Sequence, residues 1–253
     1  MRRRPPSHDS TPERALEAVR DTLFGGALAL WQPSRGYRVN VDTLLLAAFA
    51  AGGREKARRV VDLGSGVGAL GLAYAFMATA RHIDFVERDA ALVELSRRNL
   101  LETRLPGDAW ATDLEVDGLP RDLAGRSDLV LSNPPFFEVA TARPSRTAAD
   151  GARRGPLLPF LRAANAALGR RAIACFAYPA AALPEFFARA SEVKLVPKRI
   201  RLVHAYATSS ARLALVELRR AKPGGLVIEP PLVEWAARGI RSNELDALVS
   251  GKR

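Results

Sequence analysis

Residues 128–137 read Asp-Leu-Val-Leu-Ser-Asn-Pro-Pro-Phe-Phe, and this stretch carries the most specific chemistry in the chain. Two prolines after an apolar strand fix the backbone, remove two N–H donors and leave carbonyls projecting. The side-chain oxygen of Asn133 and the carbonyl of Pro134 can then both accept hydrogen bonds from one planar NH2 group. Pro135 stiffens the same turn, and Phe136 can stack on the ring that carries that group. A nitrogen of this kind is a poor nucleophile because its lone pair is delocalised. Two acceptors placed for the developing tetrahedral amine favour the form whose lone pair points at an electrophilic carbon. Preorganised dipoles and alignment of that sort supply catalysis without an ionised base.

A second motif lies upstream. Val60-Val61-Asp62-Leu63-Gly64-Ser65-Gly66-Val67-Gly68 runs off a strand into a helix. Its glycines let the backbone turn sharply and approach a ligand, and the helix N-terminus adds a field that favours an anionic group. Asp62 can orient the loop or reach the amino-acid part of a methyl donor. Glu87 ends the second strand about 20 residues beyond Gly68, where an acid accepts from the ribose hydroxyls of an adenosine-containing cofactor. Asp113, after the third strand, can accept from the adenine amine. Asp62, Gly64, Ser65, Gly66, Gly68, Glu87, Asp113 and Asn133 are therefore the expected cofactor residues, while Asp84 is expected to be solvated and Asp89 to cap a helix. Gly66-Val67-Gly68-Ala69-Leu70-Gly71 also satisfies the dinucleotide fingerprint, a weak match on its own. S-adenosylmethionine is preferred to NAD because of Asp62 and because Asn-Pro-Pro-Phe asks for a methyl acceptor.

These motifs must be positioned by alternating elements. Strand-like runs fall at 59–63, 82–87, 109–112, 128–132 and 171–178, with helical patterns at 69–80, 90–103 and 157–168. Alternation of this kind predicts an α/β doubly wound parallel sheet. Residues 194–204 and 211–219 are two strand-like runs joined too tightly for a crossover helix, so they should form an antiparallel pair. The expected fold is a Rossmann-like, seven-stranded sheet whose parallel strands are closed by an antiparallel hairpin. Upstream, residues 1–23 read as a basic tail and short helix, and 24–53 as a hairpin followed by a helix from Val41 capped by Asn40 or Asp42. Residues 54–235 form the main domain and 236–253 a terminal helix and tail.

Composition narrows the partners. Formal net charge is +11 from 38 Lys and Arg against 27 Asp and Glu, a field that attracts polyphosphate, and guanidinium suits bidentate phosphate contacts. An arginine-rich proteome gives the same excess for no functional reason. Arg143, Arg146, Arg153 and Arg154 cluster after the Asn-Pro-Pro-Phe motif as candidate phosphate contacts. The single Cys175 sits in an apolar run and reads as a core residue. His8, His82 and His204 are too scattered for a metal site. No apolar stretch approaches the roughly 20 residues that span a bilayer, so the expectation is a cytoplasmic, monomeric protein without membrane contact.

The sequence resembles the adenine exocyclic-amine (N6) methyltransferases that act on valine tRNA beside the anticodon, within the larger group of small-domain methyltransferases. The resemblance covers about Phe24 to Glu234. It rests on Trp31-Gln32-Pro33 with Gly36-Tyr37-Arg38, Asp42-Thr43-Leu44-Leu45-Leu46-Ala47, the Asp-Leu-Gly-Ser-Gly-Val-Gly loop, Asn-Pro-Pro-Phe-Phe and Pro230-Pro231-Leu232-Val233. It implies RNA methylation at adenine N6, tRNA before rRNA, with Gln32, Tyr37, Arg38 and Asp42 near the cofactor or substrate mouth. One segment departs from the family: Thr147-Ala148-Ala149-Asp150-Gly151-Ala152-Arg153-Arg154 stands where an Ala-Arg-His-Glu-like sequence is expected. Guanine N2 methylation of rRNA uses the same motif and is the nearest alternative. Behind it stand glutamine methylation of protein, whose motif usually has Tyr at the position of Phe136, an NAD-binding oxidoreductase, and a catalytically silent RNA-binding module.

Overall fold

The computed structural model describes residues 17–35, 39–54, 56–134 and 157–251. Val60, Val61 and Leu63 are fully buried although consecutive side chains point to opposite faces, which is the signature of a strand inside a parallel sheet covered on both sides. That strand, β3 (Lys56–Leu63), pairs in parallel with β4 (Thr79–Glu87) and β6 (Ser127–Ser132). Outside them lie β5 (Gly107–Ala111) and β7 (Leu168–Pro179), also parallel. The expected antiparallel pair is β8 (Val196–His204) and β9 (Ala211–Arg219), with β9 inserted between β7 and β8. The order β8-β9-β7-β6-β3-β4-β5 is the expected seven-stranded sheet. Two short strands extend its edge, β10 (Val227–Ile228) and β11 (Leu232–Val233), both parallel to β8.

Two layers of helix cover the sheet. On one face α1 (Val41–Gly53), α2 (Ala69–Met77) and α6 (Asn243–Ser250) close a core that holds Leu45, Tyr74, Phe85, Cys175 and Leu245. On the other, α4 (Leu157–Ala167) and α5 (Leu183–Glu192) bury Leu161 and Phe186 against Val61, Leu63 and Phe176. α3 (Ala90–Thr103) lies beside β4 and β5. The N-cap of α1 is Asn40, whose side chain accepts from the Thr43 N–H, and Asp89 caps α3 as expected. Cys175 is a core residue, and burial raises its thiol far above the ordinary range.

The N-terminal region differs from expectation. Ala18–Leu23, placed in a tail and short helix by sequence, forms strand β1, antiparallel to β2 (Leu28–Pro33). The hairpin turns through Phe24, Gly25 and Gly26, all at positive φ. A third small core joins Leu30 of β2 to Val67, Ala69 and Leu95. At the other end a short hairpin, β12 (Trp235–Ala237) and β13 (Ile240–Arg241), precedes the expected terminal helix, α6. Among the described residues no helix is long and apolar enough to cross a membrane.

Candidate active site

The first wall of the site is the loop from β3 into α2. Gly64, Gly66 and Gly68 have φ of +67°, +55° and +82°, a region costly for any residue with a Cβ. Space demands glycine as well at two of them. A Cβ on Gly64 would lie 2.8 Å from Phe160, and one on Gly68 would lie 2.6 Å from Phe85. The Gly64 and Ser65 N–H groups donate to the Val86 carbonyl at 2.8 and 3.1 Å, so the loop hangs on the end of β4. Asp62 is buried and accepts from the Gly71 N–H at 2.9 Å, which ties β3 to the first turn of α2. Burial, with a smaller push from the charge of Glu87, raises its carboxyl to about 7 against the opposing Gly71 hydrogen bond. Of the two roles open to Asp62 in the sequence, orienting the loop is visible directly.

Glu87 closes the loop from the β4 side. One of its oxygens accepts from Gly66 N–H at 2.9 Å, and the other accepts from Arg88 and Asp89 N–H at 2.9 and 3.1 Å. A carboxylate offers about four acceptor directions, so this anchored and half-buried group keeps acceptor capacity for a ligand. Asp113 sits in the turn after β5, where one of its oxygens accepts from the Glu115 N–H at 2.9 Å. It is half-buried.

Opposite the loop stands Asn133. Ser132 donates its hydroxyl to the Leu63 carbonyl at 2.9 Å, which fixes the end of β6 against the end of β3. Asn133 Oδ1 and Ser65 Oγ are both buried and have no hydrogen-bond partner among the described residues. They line one pocket with Asp62, Gly64, Val39 and Thr43. Buried polar atoms are almost always paired, so two unpartnered ones on residues that line one cavity leave hydrogen-bonding capacity there for a polar ligand. Pro134 is buried at the edge of the described chain. Pro135, Phe136, Tyr37, Arg38, Arg143, Arg146, Arg153 and Arg154 lie outside the described residues.

Other expectations need correction or completion. Asp84 is not solvated: it is fully buried, and its carboxylate accepts from Arg59 at 2.6 Å and from the Trp110 indole at 3.2 Å. His82 and Asp108 approach the same group, but a guanidinium in contact with Asp84 opposes a second cation there. Gln32 spans the hairpin, donating to Asp21 at 2.6 Å and accepting from the Val39 N–H at 3.1 Å. Asp42 pairs with Arg212 at 2.6 Å, which also holds Glu234. Both have structural partners.

Sequence reasoning missed Asn99. Its Nδ2 donates to the carbonyls of Trp31 and Val67, each at 2.9 Å, and its Oδ1 accepts from the Trp31 N–H at 2.6 Å. A fully buried amide thus bonds the hairpin and the glycine loop together. An asparagine on the apolar stripe of α3, beside Leu95 and Leu100, was the available clue.

Residues 40–149 match the family model of the methyltransferase small domain. Over this region the chain is similar to a methyltransferase small domain. Its span takes in the glycine loop, Glu87, Asp113 and Asn133. The tRNA1(Val) (adenine(37)-N6)-methyltransferase of Serratia proteamaculans is 37% identical over 112 residues, 42% of this chain and 40% of that protein. The Flavobacterium psychrophilum protein of the same name is 25% identical over 223 residues, 87% of this chain and 94% of that one. Ribosomal RNA large subunit methyltransferase G of Ectopseudomonas mendocina is 42% identical over 82 residues, 32% of this chain and 21% of that protein. The chain thus spans less than half the length of the Serratia and Ectopseudomonas proteins.

Solved structures share the methyltransferase fold. A predicted O-methyltransferase from Agrobacterium tumefaciens has a TM-score of 0.65 at 22% identity, covering 83% of this chain and 96% of that one. The T. thermophilus 16S rRNA N2 G1207 methyltransferase, in complex with AdoMet and guanosine, has a TM-score of 0.56 at 20% identity, covering 82% of this chain and 51% of that one. The sheet accordingly has the fold of these solved methyltransferases, one of which holds AdoMet. Its residues fit that donor: glycines that admit close approach, an anchored carboxylate at Glu87, a buried carboxyl at Asp62, and the two orphaned polar atoms of Ser65 and Asn133.

Proposed function

We propose that the protein is an S-adenosylmethionine-dependent methyltransferase acting on the exocyclic N6 of an adenine in RNA, with tRNA as the substrate class. The observation that carries the reading is the buried, unpartnered Oδ1 of Asn133 in the same pocket as the glycine loop. When bound, the donor supplies an electrophilic methyl group. Gly64, Ser65 and Gly66 would pass along it, Glu87 would accept from its ribose hydroxyls, and Asp62 keeps the loop in register for it through Gly71. Asn133 Oδ1 would accept one N–H of the target amine, with the Pro134 carbonyl as the second acceptor. An amine held this way presents its lone pair to the donor side and gives up its proton to solvent after transfer. The base must leave its stack to reach the pocket, and Phe136 is the ring proposed to receive it. Arg143, Arg146, Arg153 and Arg154 would meet phosphates beside it.

The tRNA adenine is supported by the names of the Serratia and Flavobacterium relatives. Guanine N2 in rRNA is the second reading, supported by the names of the ribosomal RNA methyltransferases the chain is similar to and of the T. thermophilus N2 G1207 enzyme that shares its fold. Mass spectrometry of nucleosides from tRNA and rRNA incubated with enzyme and labelled donor separates them. Label in N6-methyladenosine of tRNA is expected. Label confined to N2-methylguanosine of rRNA would replace the first reading with the second, and label in neither would overturn both.

A further inference from the structure

At the end of the sheet away from the donor pocket, β7 departs from its neighbour. Ser127 pairs with Leu168, but Leu129 pairs with Ile173, so β7 carries three more residues than β6 across this step. The extra segment, Gly169-Arg170-Arg171, bulges out, with Arg171 at φ +61° and Arg170 and Arg171 both exposed. An arginine gains nothing from the left-handed region, which costs a residue with a Cβ roughly 1–2 kcal/mol. Bulges re-aim side chains, and backbone strain kept by a fold points to a use.

The surroundings hold the bulge in place with more cations. Arg54 donates to the Arg171 carbonyl at 2.8 Å, and Arg220 donates to the carbonyls of Leu168 and Gly169. The exposed Arg126 directly precedes Ser127, the bulge's partner on β6. Among the described residues none of Arg54, Arg126, Arg170, Arg171 and Arg220 forms an ion pair. The nearby carboxylates are engaged elsewhere: Asp128 accepts from the N–H groups of Arg58 and Arg59, and Glu217 is bound by Arg199 and Arg219. Glu55 lies outside the described residues. Five guanidinium groups around one bulge repel one another unless an anion lies between them.

We infer that this bulge is a second RNA contact, in which Arg170 and Arg171 grip the phosphate backbone of the substrate away from the target base. The inference rests on the RNA reading above. From Ser127 to Asn133 the strand rises about 20 Å, short against the length of an RNA stem, so one molecule can reach both places. Planar guanidinium forks suit phosphate oxygens in particular.

The test compares wild type with Arg170→Gln/Arg171→Gly by fluorescence anisotropy with labelled tRNA across 50–200 mM salt, without donor. Glycine relieves the left-handed backbone at 171, so the double variant should melt at or above the wild-type temperature. Its RNA affinity should fall about tenfold or more at 0.1 M salt, and the slope of log K against log salt should flatten by about two. In steady-state methylation the loss should appear in KM for tRNA and be absent for an oligonucleotide too short to reach the bulge. An unchanged slope and affinity would overturn the inference, as would a loss of polyglutamate binding with RNA binding intact, which would give the bulge to an acidic protein. If tRNA binding depends on the bulge but no RNA is methylated, the functional reading fails and this contact stands. If wild type shows no salt-dependent RNA binding, both fall.

Discussion

Asn133→Ala should separate stability from activity. A buried polar atom without a partner costs about 1–3 kcal/mol, and Asn133 Oδ1 is such an atom among the described residues. Removing it takes that penalty away, while the loss of a half-buried side chain's packing works in the opposite direction. The ligand-free fold should therefore hold or gain up to about 1 kcal/mol, a rise of roughly 2–4 °C for a chain of this size. In the proposed transition state the same oxygen would accept from the target amine. Loss of one preorganised hydrogen bond of this type costs about 2.7–4 kcal/mol, or a hundredfold to a thousandfold in turnover. The assay is transfer of labelled methyl to tRNA at saturating donor, with thermal melting and calorimetric binding of the demethylated donor on the same preparations. Turnover at the wild-type rate with donor binding unchanged would show that Asn133 is not the amine acceptor. A melting temperature lowered by more than about 5 °C would show that the oxygen has a structural partner after all.

Three further outcomes follow from the loop. Glu87→Ala removes the anchor of Gly66 together with the proposed acceptor for the ribose hydroxyls, and hydrogen bonds to a charged group are worth about 1.5–3 kcal/mol; calorimetry should show donor affinity down at least tenfold, and NADH should give no melting shift with either protein. Gly68→Ala puts a Cβ 2.6 Å from Phe85 at φ +82°, so the melting temperature should drop by several degrees, with partial recovery on adding Phe85→Leu; a neutral single variant would contradict the geometry. For Asp62 the folded carboxyl titrates near 7, above its ordinary value of 3.8. The fold therefore favours the protonated form, and its contribution is complete below the ordinary value and lost as pH rises toward 7. Asp62→Asn should accordingly raise melting temperature more at pH 8 than at pH 5, and an equal effect at both would refute the raised value.

The sheet was legible because its strands are apolar runs separated by helical periodicity, and the hairpin of β8 and β9 announced itself by the lack of room for a crossover. Strand β1 was not, since Arg20 and Asp21 interrupt its alternation; only the fold shows that Arg20 pairs with Glu102 and that Gln32 reaches Asp21. Helix α5 was missed although Leu183, Phe186, Phe187 and Ala190 repeat at helical spacing, and Phe186 and Ala190 are buried. Spacing put Glu87 and Asn133 beside the glycine loop. It could not show the backbone N–H groups that anchor Glu87, because those partners are set by the turn and not by residue type. Asp84 looked like a surface acid for the same reason: Arg59 and Trp110, which compensate its burial, come from two other strands.

The amide of Asn99 also determines where this domain begins. The family match starts at residue 40, after the hairpin, yet Asn99 is satisfied by Trp31 on one side and by Val67 on the other. A chain trimmed to residue 40 would leave a buried amide with half its partners and would uncover Val67, Ala69 and Leu95, which Leu30 now shields. Sequence recognition and physical autonomy thus draw the border in different places. The hairpin and the glycine loop are held as one piece, and exchanging the hairpin for another would succeed only where the incoming one presents an equivalent carbonyl and N–H to that single side chain.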